Sequence, residues 1–282
     1  GSYAQESARQ AFQFGFGRPP GRRGQLAWDL SVYDQNTIFL PTFNSNLETI
    51  RNYERRKGSS LRVGGAVVSQ FNVFGTVRAD RVGYDPLPDR LGVPQSEWQS
   101  SNARVGAMGL QAEWDRRNKA DYPSRGFLVQ GNWEQAGTVF GGERSFRKIS
   151  ADLRRYQPIG FPGKPGATFA ARMMLGSATG NLPLSEQFFL GGFDLLRGYD
   201  LYSIRGDRMA LASAELRVPV GPGLVGVAFV DHGAAWLPGT AAGGWRTGYG
   251  VGLRFASPVG PLRLDFAQGN RLQTYVSLGQ AF

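Results

Sequence analysis

With 282 residues and no apolar run approaching about 18 residues, the chain excludes a helical membrane protein but not a barrel, whose lipid face uses only every second residue. Forty glycines and 12% aromatic residues point to many short strands and tight turns, and the absence of cysteine excludes a disulfide framework and thiol chemistry. The formal net charge is +10, from 32 basic residues, all but four of them arginine, so nucleic acid and anionic lipid are partners to be weighed by where the charge sits.

Period-2 alternation recurs from the first residues onward. It is present in 9–17. In 24–33, Leu26, Trp28, Leu30 and Val32 share one face and oppose Ala27, Asp29 and Ser31. The segment 38–46 reads as a weaker strand, because Pro41 removes a ladder donor. Segments 60–69 and 71–82 follow. In 103–115, Met108, Leu110, Ala112 and Trp114 oppose Gln111, Glu113 and Asp115; in 124–135, Phe127, Val129, Gly131 and Trp133 oppose Leu128, Gln130, Asn132 and Glu134. After 145–157, 167–177, 208–218 and 224–234, the segment 246–256 sets Tyr249, Val251, Leu253 and Phe255 against Gly248, Gly250, Gly252 and Arg254. In 259–268, Leu262, Leu264 and Phe266 oppose Arg263 and Asp265, and 273–282 completes fourteen predicted strands. Strands near half the chain are about double the share in an ordinary globular protein. One closed barrel, residues 1–282, resolves that excess.

The links after 24–33 and 60–69, and those at 219–223 and 256–259, are short. Those after 38–46, 71–82, 167–177 and 224–234 are longer. Short turns on one rim and long loops on the other predict periplasmic and extracellular ends, with both termini on the periplasmic rim. The longest connection, about 178–207, is then extracellular. Pro158–Gly166 reads as a turn, and no segment sustains a 3.6-residue period, so almost no helix is expected. Gly1–Tyr3 carry no basic-plus-apolar leader: either one has been removed, or the chain is a fragment.

Alternation also sorts the charge. The polar face collects Asp29, Arg78, Asp80, Glu113, Asp115, Glu134, Asp152, Arg154, Arg172, Glu215, Arg217, Arg254, Arg263 and Asp265, a hydrated interior of both signs. Much of the basic excess falls in connections: Arg18, Arg22, Arg23, Arg51, Arg55, Arg56, Lys57, Arg116, Arg117 and Lys119. Rim arginines can pair with lipid phosphates, although solvated turn charge is the simpler role for each. No aromatic-interleaved basic stripe suits nucleic acid.

Sites for chemistry are missing. The one histidine, His232, alternates away from Asp231 and falls on the lipid or interfacial face. One histidine and no cysteine cannot make a zinc set, Gly176–Gly180 lacks the spacing of a nucleophile elbow, and Glu113 with Asp115 reads as lumenal charge. Gly248, Gly250 and Gly252 are strand glycines, not a phosphate loop. No enzyme activity and no cofactor are expected.

Three ordered elements carry a family resemblance: Gly191-Gly192-Phe193-Asp194-Leu195-Leu196-Arg197-Gly198-Tyr199 in the longest loop, Phe229-Val230-Asp231-His232-Gly233 two strands later, and Gly260-Pro261-Leu262-Arg263-Leu264-Asp265 before a strand ending in Phe282. Together they resemble the bacterial surface antigen superfamily of outer-membrane transporters. That group holds the barrel-assembly insertase, two-partner secretion transporters and patatin-like type V autotransporters. The resemblance implies an all-β, antiparallel, up-and-down transmembrane barrel of 14 to 16 strands whose long loop folds into the lumen. It makes Leu196, Arg197, Gly198 and Tyr199 the loop tip, Asp231 the main wall partner of Arg197, and Glu215 the acid of the intervening strand. Asp121–Gly126 resembles the family's turn before a mid-barrel strand. Five predicted strands follow the loop, as in the family; nine precede it, where the family has eleven, so either the chain begins two strands into the barrel or two were missed. The family's periplasmic POTRA domains, and any passenger, lie outside this chain.

The loop lock also has a physical rationale. A loop in a watery lumen gains little apolar burial, so its ordering entropy must be offset otherwise. A guanidinium offers five donors in a rigid fork. Phe229, Asp231 and Gly233 share one face, and Gly233 is expected to leave room for the loop, while Gly198 permits a tight tip. Val276, Leu278 and Phe282 are assigned to one lipid-facing register, resembling the C-terminal signal read by assembly machinery; a plain edge strand is the simpler role. The implied function is polypeptide secretion or insertion in a Gram-negative outer membrane. Its implied partners are outer-membrane lipids, the transported polypeptide and the assembly machinery. A porin-like diffusion channel is the alternative, and the sequence is silent on oligomeric state.

Overall fold

The computed structural model describes residues 10–18, 26–43, 49–84, 102–161, 164–237, 239, 244–256, 261–279 and 282. The alternating segments become β1 (Gln10–Arg18), β2 (Ala27–Phe43), β3 (Thr49–Val68), β4 (Phe71–Tyr84), β5 (Ala103–Asp115), β6 (Gly126–Ala136), β7 (Phe146–Phe161) and β8 (Lys164–Gly180). Two short strands, β9 (Phe188–Leu190) and β10 (Ile204–Gly206), pair with each other inside the long connection. Then come β11 (Arg208–Gly221), β12 (Leu224–Trp236), β13 (Arg246–Phe255), β14 (Leu262–Gln268) and β15 (Leu272–Leu278). Every wall strand pairs antiparallel with the next, in the order β1 to β8 and then β11 to β15, giving a thirteen-stranded up-and-down sheet.

The two faces of this sheet are inverted relative to a water-soluble protein. Leu30, Val77, Leu110, Val251, Phe266 and Val276 are exposed on the outer face, while Asp80, Asp152, Arg172, Glu215, Arg217, Arg254, Arg263 and Asp265 are buried on the inner one. Full burial of so many ions requires pairing. An exposed apolar band around a charged interior is the signature of a membrane barrel. The sheet curls: Phe282, just beyond β15, packs on Tyr156 of β7 and Ala170 of β8. Among the described residues no ladder joins β1 to β15.

Several expectations change. Segments 24–33 and 38–46 are one strand, β2; its register with β3 shifts between Phe39 and Thr42, where Pro41 stands. The bulge accommodates the missing donor without ending the strand. The short link expected after 24–33 is therefore absent. β3 starts well before residue 60, so Arg55, Arg56 and Lys57 are strand residues, not link residues. Fusing two predicted strands leaves an odd number in the wall. β1 consequently runs from the long-loop rim, and the strand ends do not share one rim. Phe282 is also corrected. Val276 and Leu278 are 70% and 63% exposed on the outer face, but Phe282 is 4% exposed. The left-handed Gly279 (φ 94°) ends the strand's alternation before it.

Candidate functional site: a loop locked in the lumen

Period-2 geometry on four adjacent strands builds the wall. β11 turns Ser213, Glu215 and Arg217 inward, β12 turns Phe229, Asp231 and Gly233, β13 turns Gly248, Gly252 and Arg254, and β14 turns Arg263, Asp265 and Ala267. Register places Glu215 opposite Phe229, Phe229 opposite Gly250, and Gly252 opposite Asp265. Three acids and three arginines thus face one small volume.

Arg197, from the loop, enters that volume and is buried. Its Nε donates to Asp231 Oδ2 at 2.7 Å, Nη2 to Asp231 Oδ1 at 2.8 Å, and Nη1 to Glu215 Oε1 at 2.7 Å. Its backbone N–H also donates to Asp231, at 3.1 Å. Asp265 lies 3.7 Å from Nη1. The guanidinium carbon sits 3.5 Å above the centre of the Phe229 ring, so the aromatic of the β12 motif is the floor of the site. Burial alone would lower the guanidinium's proton affinity, but Asp231, Glu215 and Asp265 raise it above its ordinary value. Arg197 is a permanent cation.

The tip is fixed by its neighbours. Gly198 has φ 87°, and a Cβ there would lie 2.5 Å from the Gly269 nitrogen. Its N–H donates to the Tyr275 hydroxyl at 3.0 Å, its carbonyl accepts from Asn270 at 3.1 Å, and the Tyr199 hydroxyl donates to Thr247 O at 3.1 Å. Leu196 is buried with Leu190, Phe188, Met209, Leu211 and Ala178, an apolar plug between the loop and β8 and β11.

Room for Arg197 itself comes from β13, while Gly233 leaves room for the loop's Leu190. A Cβ on Gly248 would lie 1.8 Å from Arg197 O, one on Gly250 2.0 Å from Phe266 O of β14 and 2.7 Å from Phe229 Cζ, and one on Gly252 2.0 Å from Asp265 Oδ1. At Gly233 the nearest atom is Ala210 O at 2.9 Å, and the loop's Leu190 stands at 3.3 Å. The glycines of β13 are thus three clearances: one for the loop backbone, one for the β14 backbone and the ring floor, and one for an acid.

Wall arginines hold the loop in return. Arg263 donates to Asp194 Oδ1 at 3.0 Å and to Phe193 O, and Arg172 donates to Asp194 O at 3.3 Å while gripping Asp152 at 2.7 and 3.1 Å. A second anchor, unread in the sequence, is Glu186, in a 3₁₀ turn over Leu184–Glu186. This buried acid meets Arg56 of β3 at 3.1 Å, Arg78 of β4 at 3.0 Å and Lys148 of β7 at 3.2 Å. Burial would raise its carboxyl, but Lys148, Arg78 and Arg56 together hold it well below the usual carboxylate range. The sequence signal was a single acid in an otherwise uncharged loop segment, 181–193, and lumen-facing Arg78. Nothing local joins them.

His232 lies on the exposed face, hydrogen-bonded to Thr247 at 2.8 Å and stacked on Trp245. The turn 121–126 leads into β6 as expected, and Gly126 (φ 106°) lies against Arg116 O.

An inside-out antiparallel sheet whose lumen is crossed by an arginine-locked loop defines a transmembrane β-barrel rather than a soluble β-fold. The Omp85 superfamily domain matches residues 1–282, and the chain belongs to that superfamily. It is 27% identical over 275 residues to an outer membrane protein assembly factor BamA of Nitratidesulfovibrio vulgaris, covering 92% of this chain and 33% of that protein. It is 33% identical over 147 residues to the chloroplastic outer envelope protein 80 of Arabidopsis thaliana, covering 48% of this chain and 19% of that protein. The chain therefore spans a third or less of these curated relatives. Its fold matches BamA of Haemophilus ducreyi (TM-score 0.75, 14% identity, 96% of this chain and 61% of that one). It also matches CdiB of Escherichia coli (TM-score 0.66, 16% identity, 96% of this chain and 51% of that one).

Proposed function

We propose that this chain is the membrane barrel of a polypeptide transporter in a Gram-negative outer membrane, acting in barrel insertion or protein secretion, with no enzymatic step of its own. The observation that carries the reading is the fourfold grip of Arg197 on Asp231 and Glu215 over Phe229. A loop tied across the lumen by buried ions narrows the open path on which bulk diffusion depends. A transporter needs β11 to β14 held as one body while a polypeptide passes or pairs nearby. Similarity to an assembly factor over most of the chain supports insertion as the task. In this reading residues 1–282 are one barrel domain, Leu196, Arg197, Gly198 and Tyr199 are the working tip, and Glu215, Phe229, Asp231 and Gly233 are its seat. Val276 and Leu278 meet lipid.

The test is Arg197→Ala in the full-length protein, reconstituted in liposomes and supplied with an unfolded outer-membrane barrel. Insertion should slow by at least tenfold, while the variant still shows a heat-dependent shift in electrophoretic mobility. Wild-type insertion rates would overturn the reading. Large, steady single-channel conductance from the unaltered protein would favour the diffusion channel instead.

A further inference from the structure

Three outward rows cross β3, β4 and β5 in register. The lowest, Leu61–Val77–Met108, is exposed and apolar, and Leu30 of β2 extends it. One step toward the long-loop rim the row is Ser59–Ala79–Gly106, all small. One step further it is Lys57–Arg81–Arg104, three cations on adjacent strands, with Arg55 just beyond on the same face of β3.

Directly opposed cross-strand residues stand roughly 5 Å apart, and like charges so placed are destabilising. Local acids offset only part of this. Asp34 meets Lys57 at 2.8 Å and Arg55 at 3.4 Å, and Glu143 meets Arg104 at 2.7 Å. Arg81, the middle of the row, is exposed and has no ion pair among the described residues. Four cations face two carboxylates, and Arg55, Lys57 and Arg104 are more than half exposed. An open recess of about 390 Å³ lies at this level between β4 and β5, lined by Arg81, Gly83, Asn102, Arg104 and Glu143. Beside it the turn 138–140 folds over Gly106, where a Cβ would lie 1.8 Å from Phe140 O, and leaves Val139 89% exposed.

We infer that Lys57, Arg81 and Arg104 form a binding site for the phosphorylated head group of a membrane lipid. The order of the rows carries the assignment: acyl chains meet the apolar row, the exposed small residues Ser59 and Ala79 leave space for a bulky head group beside the turn that covers Gly106, and the cations stand where its phosphate must lie. Arginine forks suit phosphate oxygens bidentately. A free anion would need only the cations; the apolar row beneath them commits the site to a lipid. The inference rests on the chain being a membrane barrel, not on the role of the loop.

The experiment is native mass spectrometry of the full-length protein released from a neutral detergent, with bisphosphorylated lipid A, dephosphorylated lipid A and inorganic phosphate as probes. Bisphosphorylated lipid A should bind at least tenfold tighter than its dephosphorylated form, and the double variant K57Q/R81Q should lose that preference while keeping its heat-dependent mobility shift. Millimolar inorganic phosphate should not compete. Equal binding of both lipids to the wild-type protein would overturn the site, even if the double variant failed to fold. Unaltered lipid preference in a folded K57Q/R81Q would overturn its assignment to these residues, and displacement by inorganic phosphate would overturn the lipid.

Discussion

Arg197 spends three of its side-chain nitrogens and its backbone N–H on two carboxylates. Truncating one partner of such a buried set strands the others, at a cost of about 3–5 kcal/mol. Arg197→Ala should therefore lower the urea midpoint of the detergent-folded barrel, followed by tryptophan fluorescence. Arg197→Lys should recover little, because an ammonium cannot bridge Asp231 and Glu215 and also lie flat on Phe229. Glu186 gives a pH dependence of defined sign. Its folded carboxyl is depressed, so its contribution is complete above the unfolded value of about 4.3 and is lost as pH falls below it. Protease sensitivity of residues 181–193, measured between neutral pH and pH 3, should rise in that acid window. Glu186→Gln should raise sensitivity at neutral pH and flatten the acid dependence; a wild-type profile in that variant would remove the anchor.

Among the elements, β13 shows how a strand can be shaped by what crosses it. Gly248 has an ordinary extended backbone, so its requirement is for space and not for conformational freedom. Gly248→Ala would place a methyl 1.8 Å from Arg197 O, a backbone atom that cannot step aside. The tip should be pushed off its seat while Glu186 still holds the loop in the lumen, with loop cleavage by protease faster than in the wild type. Gly131→Ala is the control, since a Cβ there meets nothing within 4 Å. Alternation alone assigned Gly248, Gly250 and Gly252 to the lumen face; it could not say what filled the space above them. Pro41 shows the converse failure. A missing donor reads as a break, but a bulge between Phe39 and Thr42 absorbs it.

For the whole molecule, the loop is a strap between two parts of the wall. Its acid, Glu186, is held by cations of β3, β4 and β7, and its cation, Arg197, by acids of β11, β12 and β14. The two anchors share no partner, so their losses should add within a few tenths of a kcal/mol. Hydrogen exchange of residues 181–207 in Glu186→Gln, Arg197→Ala and the double variant tests this. A double variant no faster than Arg197→Ala alone would mean that Glu186 does not hold the strap. Freed at one end, the loop should remain inside the lumen; freed at both, it should open the pore and raise single-channel conductance.

The sequence by itself determined the antiparallel barrel class and, through a two-residue period, the outward face of most strands whose side chains are described. The pairing of Arg197 with Asp231 and Glu215 came from the family resemblance carried by short motifs within a few strands of one another, and the structure brings those residues together. Only the tertiary structure decided the seat of Glu186, the clearances of β13, the inward turn of Phe282 and the register of Lys57, Arg81 and Arg104. Those depend on which residues far apart in the chain are carried to the same height by the curl and stagger of the sheet, a quantity that no local period encodes.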